Sequence, residues 1–455
     1  MAQTSTAASA TRGSLLKNII FFSVPLALSS VLQLLFNAAD VVVVGRFVGS
    51  TALAAVGSNS ALINLLVNLF VGLSIGSNVV AARCFGAKDD AGVRNTVHTS
   101  VAIGFISGAF LAFVGFFAAR YLLELMSCPV DVIDLSTIYL KIYFIGMPVN
   151  MVYNFSSALL RAVGDTRRPL YCLAASGVVN VILNLVFVIG FQLSVAGVAL
   201  ATIISQALSA GLVLWLLCRE KGALHLNMRA LSIHRGTLIQ ILRIGLPAGL
   251  QSTVFSLSNV VIQSAINSFG SIIVAGNSAA SNIEGFVYIS MNAFSQAAVT
   301  FTSQNVGARQ YHNIDRVLIN CLGCVGVTGL VMGVGATIFG EPLLGIYSSD
   351  PAVIDAGMIR LIMICSCYFL CGFMDVLANC LRGLGYSVMP MVVSLVGSCA
   401  LRLIWIATIF QLFHTTRMLY LSYPVSWGLT VLAHLICFFV VRRKWQKELR
   451  AKAAV

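Results

Sequence analysis

Charge is what this sequence has least of. Of its 455 residues, 28 are Lys or Arg and 15 are Asp or Glu, 9% in all, against roughly 25% in an ordinary soluble domain. With 58% of the residues hydrophobic, no water-facing surface can be assembled, which excludes soluble globular, disordered and disulfide-scaffold classes. Enzymatic signatures are missing as well. There is no phosphate-binding glycine loop or ATPase motif, and the six His are scattered without ligand spacing. Gly72-Leu-Ser-Ile-Gly76 fits GxSxG in letters only, because it lies inside an apolar helix rather than at a strand–helix turn. Small residues at that spacing read as a helix-packing face. Cys321 and Cys324 form one CxxC with no second pair, and most of the Cys sit in apolar runs. An enzyme, a cofactor and a structural metal are therefore not expected.

What is present is a series of long apolar runs. A spanning helix needs about 20 largely apolar residues, and twelve such runs occur: 17–44, 51–82, 94–120, 131–158, 167–190, 194–218, 238–268, 271–303, 315–341, 353–380, 388–412 and 417–442. The first is too long for a signal-peptide core and is read as a retained span. Basic residues sort by side. Twenty-two of the 28 Lys and Arg, from Arg12 to the tail RRKWQKELRAK, fall on one side, and only Arg46, Arg120 and Arg417 fall on the other. The positive-inside rule then puts both termini in the cytoplasm of a multi-pass protein of the cell membrane. The net charge of +13 is a record of topology, and no nucleic-acid partner is needed to explain it.

The chain also repeats itself. LLRAVGDTRRP at 159–169 corresponds to CLRGLGYSVMP at 380–390, so that Arg161, Gly164 and Pro169 map onto Arg382, Gly385 and Pro390. The same shift of 221 carries Gly49-Ser50 onto Gly270-Ser271 and Gly86-Ala87 onto Gly307-Ala308. Pro25 maps onto Pro247 and Pro129 onto Pro351 after a one-residue slip. The expected fold is an all-α polytopic membrane protein, twelve transmembrane helices in two pseudo-symmetric six-helix bundles. The bundles are 1–218 and 238–442, with a cytoplasmic linker at 219–237 and a basic tail at 443–455. Two halves with the same orientation are a common transporter arrangement.

Ionisable groups within the spans are costly, roughly 2.5–3.5 kcal/mol each on insertion scales, and those retained mark candidate sites. Gln33, Asn37 and Asp40 share a face of the first span, with Asp40 about 8 Å from its outer end. Asn180 and Asn184 share a face of the fifth span, and Thr202 lies at similar depth on the sixth. A carboxylate, two amides and a hydroxyl suit a proton acceptor or a small hard cation such as Na⁺. At the corresponding second-half positions stand Ile262, Leu401, Trp405 and Tyr423, so any ion site belongs to the first half. The eighth span has its own stripe of Asn277, Ser281, Glu284, Tyr288 and Asn292. With Asp375, Glu284 and Tyr288 are candidates for the substrate cavity, as are Gln33, Asn37 and Asn154. Arg360 is expected to snorkel to the interface, whereas Arg402, mid-span, is expected to pair with Asp375 or Glu284. For those acids a structural pair and a substrate role stand side by side.

VPLALSSVLQLLFNAADVVVVGRFVGSTALAAVG at 24–57, LLRAVGDTRRP at 159–169, GLPAGLQS at 245–252 and TSQNVGARQ at 302–310 resemble the multidrug and toxic compound extrusion (MATE) family. The resemblance covers nearly the whole chain. It implies secondary antiport, with H⁺ or Na⁺ moving inward as an organic, often cationic, compound is expelled, and two bundles around a central cavity. Asp40 matches the family's helix-one Asp and Pro25 its bending Pro, here the candidate hinge. Asn180 and Thr202 match cation-site positions of one prokaryotic branch, but Asn184 stands where that branch has a second Asp. Another branch's helix-seven Glu corresponds to Phe255 here, so its second-half ion site does not carry over, although Asp375 is similar to its helix-ten Asp. The expected partners are small organic cations, H⁺ or Na⁺, and the lipid bilayer, with the protein acting as a monomer. The alternative within the superfamily is a lipid-linked saccharide flippase, which calls for a more cationic cavity than three acids and three bases provide.

Overall fold

The computed structural model describes residues 14–126, 128 and 130–453. Arg12 and Pro129, used above for orientation and repeat, lie outside the described residues. Uniformly apolar segments fold here as helices, the element that satisfies every backbone N–H and C=O within one segment, and no strand occurs among the described residues. In order they are α1 (Leu15–Phe47), α2 (Ser50–Gly86), α3 (Asp90–Leu125), α4 (Ile133–Ile145), α5 (Met147–Ala162), α6 (Arg167–Leu185) and α7 (Ser194–Arg219). The second half contains α8 (Arg235–Asn267), α9 (Ser271–Gly307), α10 (His312–Ile338), α11 (Gly340–Gly345), α12 (Pro351–Cys365) and α13 (Tyr368–Gly383). It ends with α14 (Val388–Ser394), α15 (Leu401–Ala407), α16 (Ile409–Leu412) and α17 (Thr416–Ala453). Single π-helical segments, Val186–Gly190 and Leu395–Ala400, continue α6 and join α14 to α15.

Among the described residues, nine helical stretches are long and apolar enough to cross a membrane, and two broken pairs raise the number to 11. The pairs are α4 with α5, bent by 48°, and α12 with α13, bent by 43°. The remaining long helix, α9, spans 37 residues but is diluted by the polar stripe from Asn277 to Asn292. Each of the twelve expected spans thus falls on a helical stretch, the fourth and tenth as bent pairs and the eighth on α9, which is not apolar enough to be counted among the 11.

The repeat is written into the backbone. Gly49 and Gly270 both have positive φ, at 120° and 91°, and Gly164 and Gly385 do so at 89° and 94°. Lys88 and Arg309, 221 residues apart, share a left-handed φ of 56° and 57°. Because L side chains are disfavoured there, such pairs reflect the same turn built twice.

Two compact units emerge. The first comprises Val24–Thr253 with Gly307–Arg309, and the second comprises residues 14–23, Val254–Val306 and 310–453. In the first unit, Leu111, Phe144, Met147 and Val198 form part of one core cluster, and Val97, Leu159, Leu160 and Leu217 form part of another. Residues 219–237 do not hang free of it. Leu224 and Leu226 are buried in the second cluster, Asn227 N–H donates to His98 Nε2 at 3.3 Å, and His234 N–H donates to Thr99 Oγ1 at 3.1 Å.

The same unit contains a backbone-on-backbone seam between α2 and the start of α8. A Cβ at Gly72 would land on the Gly249 backbone, and one at Gly249 on the Leu69 carbonyl. A Cβ at Gly76 would strike the Ile241 carbonyl, and one at Gly245 would lie 2.6 Å from Leu73 Cα. Two GxxxG faces are interlocked, the packing expected of Gly72 and Gly76 from their spacing.

Candidate functional site

The cluster around Asp40 is assembled from three helices. Asp40 lies on α1 two turns before its end and is 8% exposed. Its Oδ1 accepts a hydrogen bond from Asn184 Nδ2 of α6, and its Oδ2 accepts one from Thr202 Oγ1 of α7 at 3.3 Å. Asn184, fully buried, also directs Nδ2 toward Asn180 Oδ1 at 3.3 Å, one turn back on its own helix. Asn184 Oδ1 has no hydrogen-bond partner among the described residues. Close packing places α6 against α1, where Gly177 lets the Phe36 ring come within the space a Cβ would fill. The result is a buried carboxylate with four side-chain oxygens from Asp40, Asn180 and Asn184 and one hydroxyl from Thr202 in a single cluster.

Two aromatic residues beside this cluster were not picked out from sequence. Tyr139 and Tyr143 of α4 stack with ring centroids 6.1 Å apart, and both are close enough to interact electrostatically with Asp40. Tyr143 is hydrogen-bonded to Gln206 of α7. Their spacing of four in STIYLKIYFIG was the available signal, since it puts two phenols on one face.

Not all the candidates converge. Gln33 and Asn37 are exposed on α1, away from the Asp40 hydrogen bonds. Asn154 is half-buried on α5 and spends its amide on Asn150, donating to the backbone oxygen at 2.9 Å and to Oδ1 at 2.8 Å. Pro25 is buried inside α1, where it has no N–H to give the preceding turn.

The second unit overturns two expectations. Arg360 does not snorkel. It is 7% exposed, and its Nε and Nη2 donate to the two oxygens of Glu284 at 2.8 and 2.7 Å while Nη1 donates to Asn277 Oδ1 at 2.5 Å. A fork-to-fork ion pair and an amide satisfy it where it stands. Arg402, expected to take an acid, takes none. Its Nε donates to Ser426 Oγ at 2.8 Å and its guanidinium lies 4.2 Å from the Tyr423 ring centroid and 5.4 Å from that of Trp427. Aromatic faces replace the carboxylate as its neighbours. Asp375 instead accepts from the Tyr288 hydroxyl, to which Asn292 Nδ2 comes within 3.5 Å.

At the basic end of the first bundle, outside the spans, Asp165 accepts from the Arg167 and Arg168 backbone N–H groups, each at 3.2 Å. Burial nonetheless pushes its carboxyl above the usual carboxylate range. Arg168 bridges Asp165 and Glu220 at 2.8 and 2.7 Å, which ties the start of α6 to the end of α7.

Comparison with known proteins bears on the family and the fold. The family model MatE matches residues 25–186 and again 247–408. The chain is 27% identical over 430 residues to the probable multidrug resistance protein YoeA of Bacillus subtilis (strain 168), covering 91% of this chain and 92% of that protein. It is 29% identical over 394 residues to the probable multidrug resistance protein YpnP of the same organism, covering 86% and 88%. Among solved structures, an outward-facing multidrug resistance MATE family transporter of the MOP superfamily superposes with a TM-score of 0.87 at 20% identity, covering 97% of this chain and 98% of that one. The two matched segments start 222 residues apart, at the positions of Pro25 and Pro247. With a duplicated family match over most of its length and spans to fit, the chain belongs to the MatE family, as a multi-pass membrane transporter and not an enzyme.

Proposed function

We propose that the protein is a secondary antiporter that exports amphipathic organic compounds, mainly cations, in exchange for H⁺ or Na⁺. The observation that carries this reading is the buried Asp40 carboxylate held by Asn184 and Thr202 from two other helices. A carboxylate removed from water is costly unless it is hydrogen-bonded, protonated or bound to a cation. The two amides and the hydroxyl give Asp40 a way to exist in either charge state. When it is ionised, Asn184 Nδ2 and Thr202 Oγ1 donate to it. When it is protonated, the Asn184 amide can turn so that Oδ1 accepts. The same oxygens offer a hard cation a set of ligands, although Asn184 in place of an acid leaves a single negative charge to attract it.

In the proposed cycle, Asp40 takes up H⁺ or Na⁺ from the outer side and α1 rearranges about Pro25. The organic cation then leaves, and loss of the ion to the cytoplasm resets the carboxylate. Gln33 and Asn37 on the same helix, Asn154 on α5 and the Glu284, Tyr288 and Asp375 group are proposed to contribute to substrate recognition. The distribution of Lys and Arg supports a location in the cell membrane with both termini cytoplasmic, and the protein is proposed to act as a monomer. In this orientation 219–237 is a cytoplasmic segment that joins two six-helix halves.

The test is dye efflux from proteoliposomes carrying either a pH or an Na⁺ gradient. Asp40→Asn keeps the shape but cannot titrate, and it is expected to abolish gradient-driven efflux. Wild-type rates for this variant under both gradients would refute the mechanism.

A further inference from the structure

The two units finish differently at their basic ends. In the first, α7 stops at Arg219 and the chain turns back on itself. Leu226 N–H donates to the Leu217 carbonyl oxygen at 3.0 Å, and Leu224 and Leu226 are buried in one cluster with Val93, Val163 and Leu217. The shift of 221 carries Val93, Val163 and Leu217 onto Ile314, Leu384 and Phe438, and Leu224 onto Trp445. In the second unit α17 does not turn back but runs on as helix to Ala453. Ile314, Leu384, Phe438 and Trp445 there line a cavity of about 230 Å³. The first unit plugs with leucines from its own chain a crevice that the second unit leaves open.

The walls of this crevice are apolar and its surroundings are basic. The Tyr311 and Trp445 rings meet edge to face along it, with centroids 5.2 Å apart. Asp315, the one acid in its lining, is taken up by Arg442 at 2.5 Å. That pair cancels. Arg316, Arg443 and Lys444, next to it along the chain, are exposed and form no ion pair among the described residues. Further along, the sequence adds Lys447, Arg450 and Lys452 against Glu448 alone. Exposed His312 and Gln446 mark where the crevice opens. Beside Phe438 on α17, Phe439 and Val440 are 51% and 61% exposed, an apolar surface suited to lipid.

We propose that this crevice binds one anionic phospholipid of the surrounding bilayer. The upper methylenes of an acyl chain enter between Ile314, Leu384 and Phe438, and the phosphate lies against Arg443 and Lys444. The plug of the first unit shows that aliphatic groups fit a crevice of this build. At ~30 Å³ per water, the space corresponds to about eight waters, room for part of a chain and not for a whole one. Basic residues just beyond the end of a span attract anionic lipid, and Tyr and Trp favour this level of a bilayer. The site is separate from the Asp40 cluster and does not rest on the coupling mechanism.

The experiment is native mass spectrometry of the full-length protein in detergent micelles, titrated with dioleoyl phosphatidylglycerol or with dioleoyl phosphatidylcholine. The two lipids share chains and phosphate, and only the first has a net negative charge. One phosphatidylglycerol is expected to bind at least tenfold more tightly than phosphatidylcholine. Arg443→Gln with Lys444→Gln should abolish that preference. Arg229→Gln with Arg235→Gln, which takes exposed charge from the first unit instead, should leave it unchanged. Leu384→Trp, which fills the crevice, should weaken both lipids. Equal affinity for the two lipids overturns the proposal using wild-type protein alone. The same loss from either pair of substitutions overturns it as well, because it would show only diffuse attraction to surface charge. So does unchanged phosphatidylglycerol binding in folded Leu384→Trp.

Discussion

Glu284→Gln is the most informative single change that the second unit offers. Gln keeps the size of Glu and can still accept one hydrogen bond from Arg360, but it removes the negative charge. In the wild type both side chains are almost enclosed, 8% exposed for Arg360 and 6% for Glu284, and two N–H···O bonds at 2.8 and 2.7 Å join them. Removing one member of a buried pair leaves the other as an uncompensated charge, at a cost of about 3–5 kcal/mol. Here the penalty is compounded by Arg402, a second unmatched cation in the same unit. Replacing both members, as in Glu284→Gln with Arg360→Met, removes the charge as well as the bond, and such replacements are often near neutral. The double variant should therefore be more stable than Glu284→Gln alone. Equilibrium unfolding in mixed micelles, followed by far-UV circular dichroism, gives the cycle. Single-variant costs that simply add, or a Glu284→Gln cost below about 1 kcal/mol, would refute the assignment of this pair as a mutually dependent buried unit.

Two further outcomes test the fold. Gly249→Leu puts a branched side chain into the seam with α2, where even a Cβ meets backbone, and folded yield on size-exclusion chromatography should collapse, while the same change at Gly211, where a Cβ meets open space, should be tolerated. Gly164→Ala and Gly385→Ala, at φ of 89° and 94°, should each lower stability by about 1–2 kcal/mol, read as a reduced midpoint in the same unfolding assay, and by similar amounts because the turn is the same.

The first-half cluster was legible because its information is local. Spacings of four put Asn180 and Asn184 on one face, and counting residues from a helix end put Asp40, Asn184 and Thr202 at one height. The second half resisted because long side chains break that arithmetic. Arg360 lies nine residues into α12, about 14 Å along the axis, a position from which a guanidinium can reach either water or a neighbour. What decides is the pair of acceptors on α9, Glu284 and Asn277, seven residues apart and so two turns along one face. Arg402 was assigned an acid on charge alone, since sequence does not reveal that Tyr423 and Trp427 present their faces to it. The runs 131–158 and 353–380 read as unbroken spans in the sequence, so both bends are findings of the structure. Gly146 and Pro148 stand at the first, while Ser366-Cys367 has no glycine or proline.

The seam between α2 and α8 bears on how this molecule can move. Side chains between helices act as compressible spacers that change rotamer as two rods slide. Where Gly72 and Gly76 meet Gly245 and Gly249 there are none, so a shift of even part of a turn drives backbone into backbone. The start of α8 must then travel with α2 as one piece. Pro247, the repeat partner of Pro25, lies inside this lock and is barred from serving as a pivot, and flexure of α8 has to fall beyond Gly249. A chain built from two copies of one design has thus clamped its proline in the second copy.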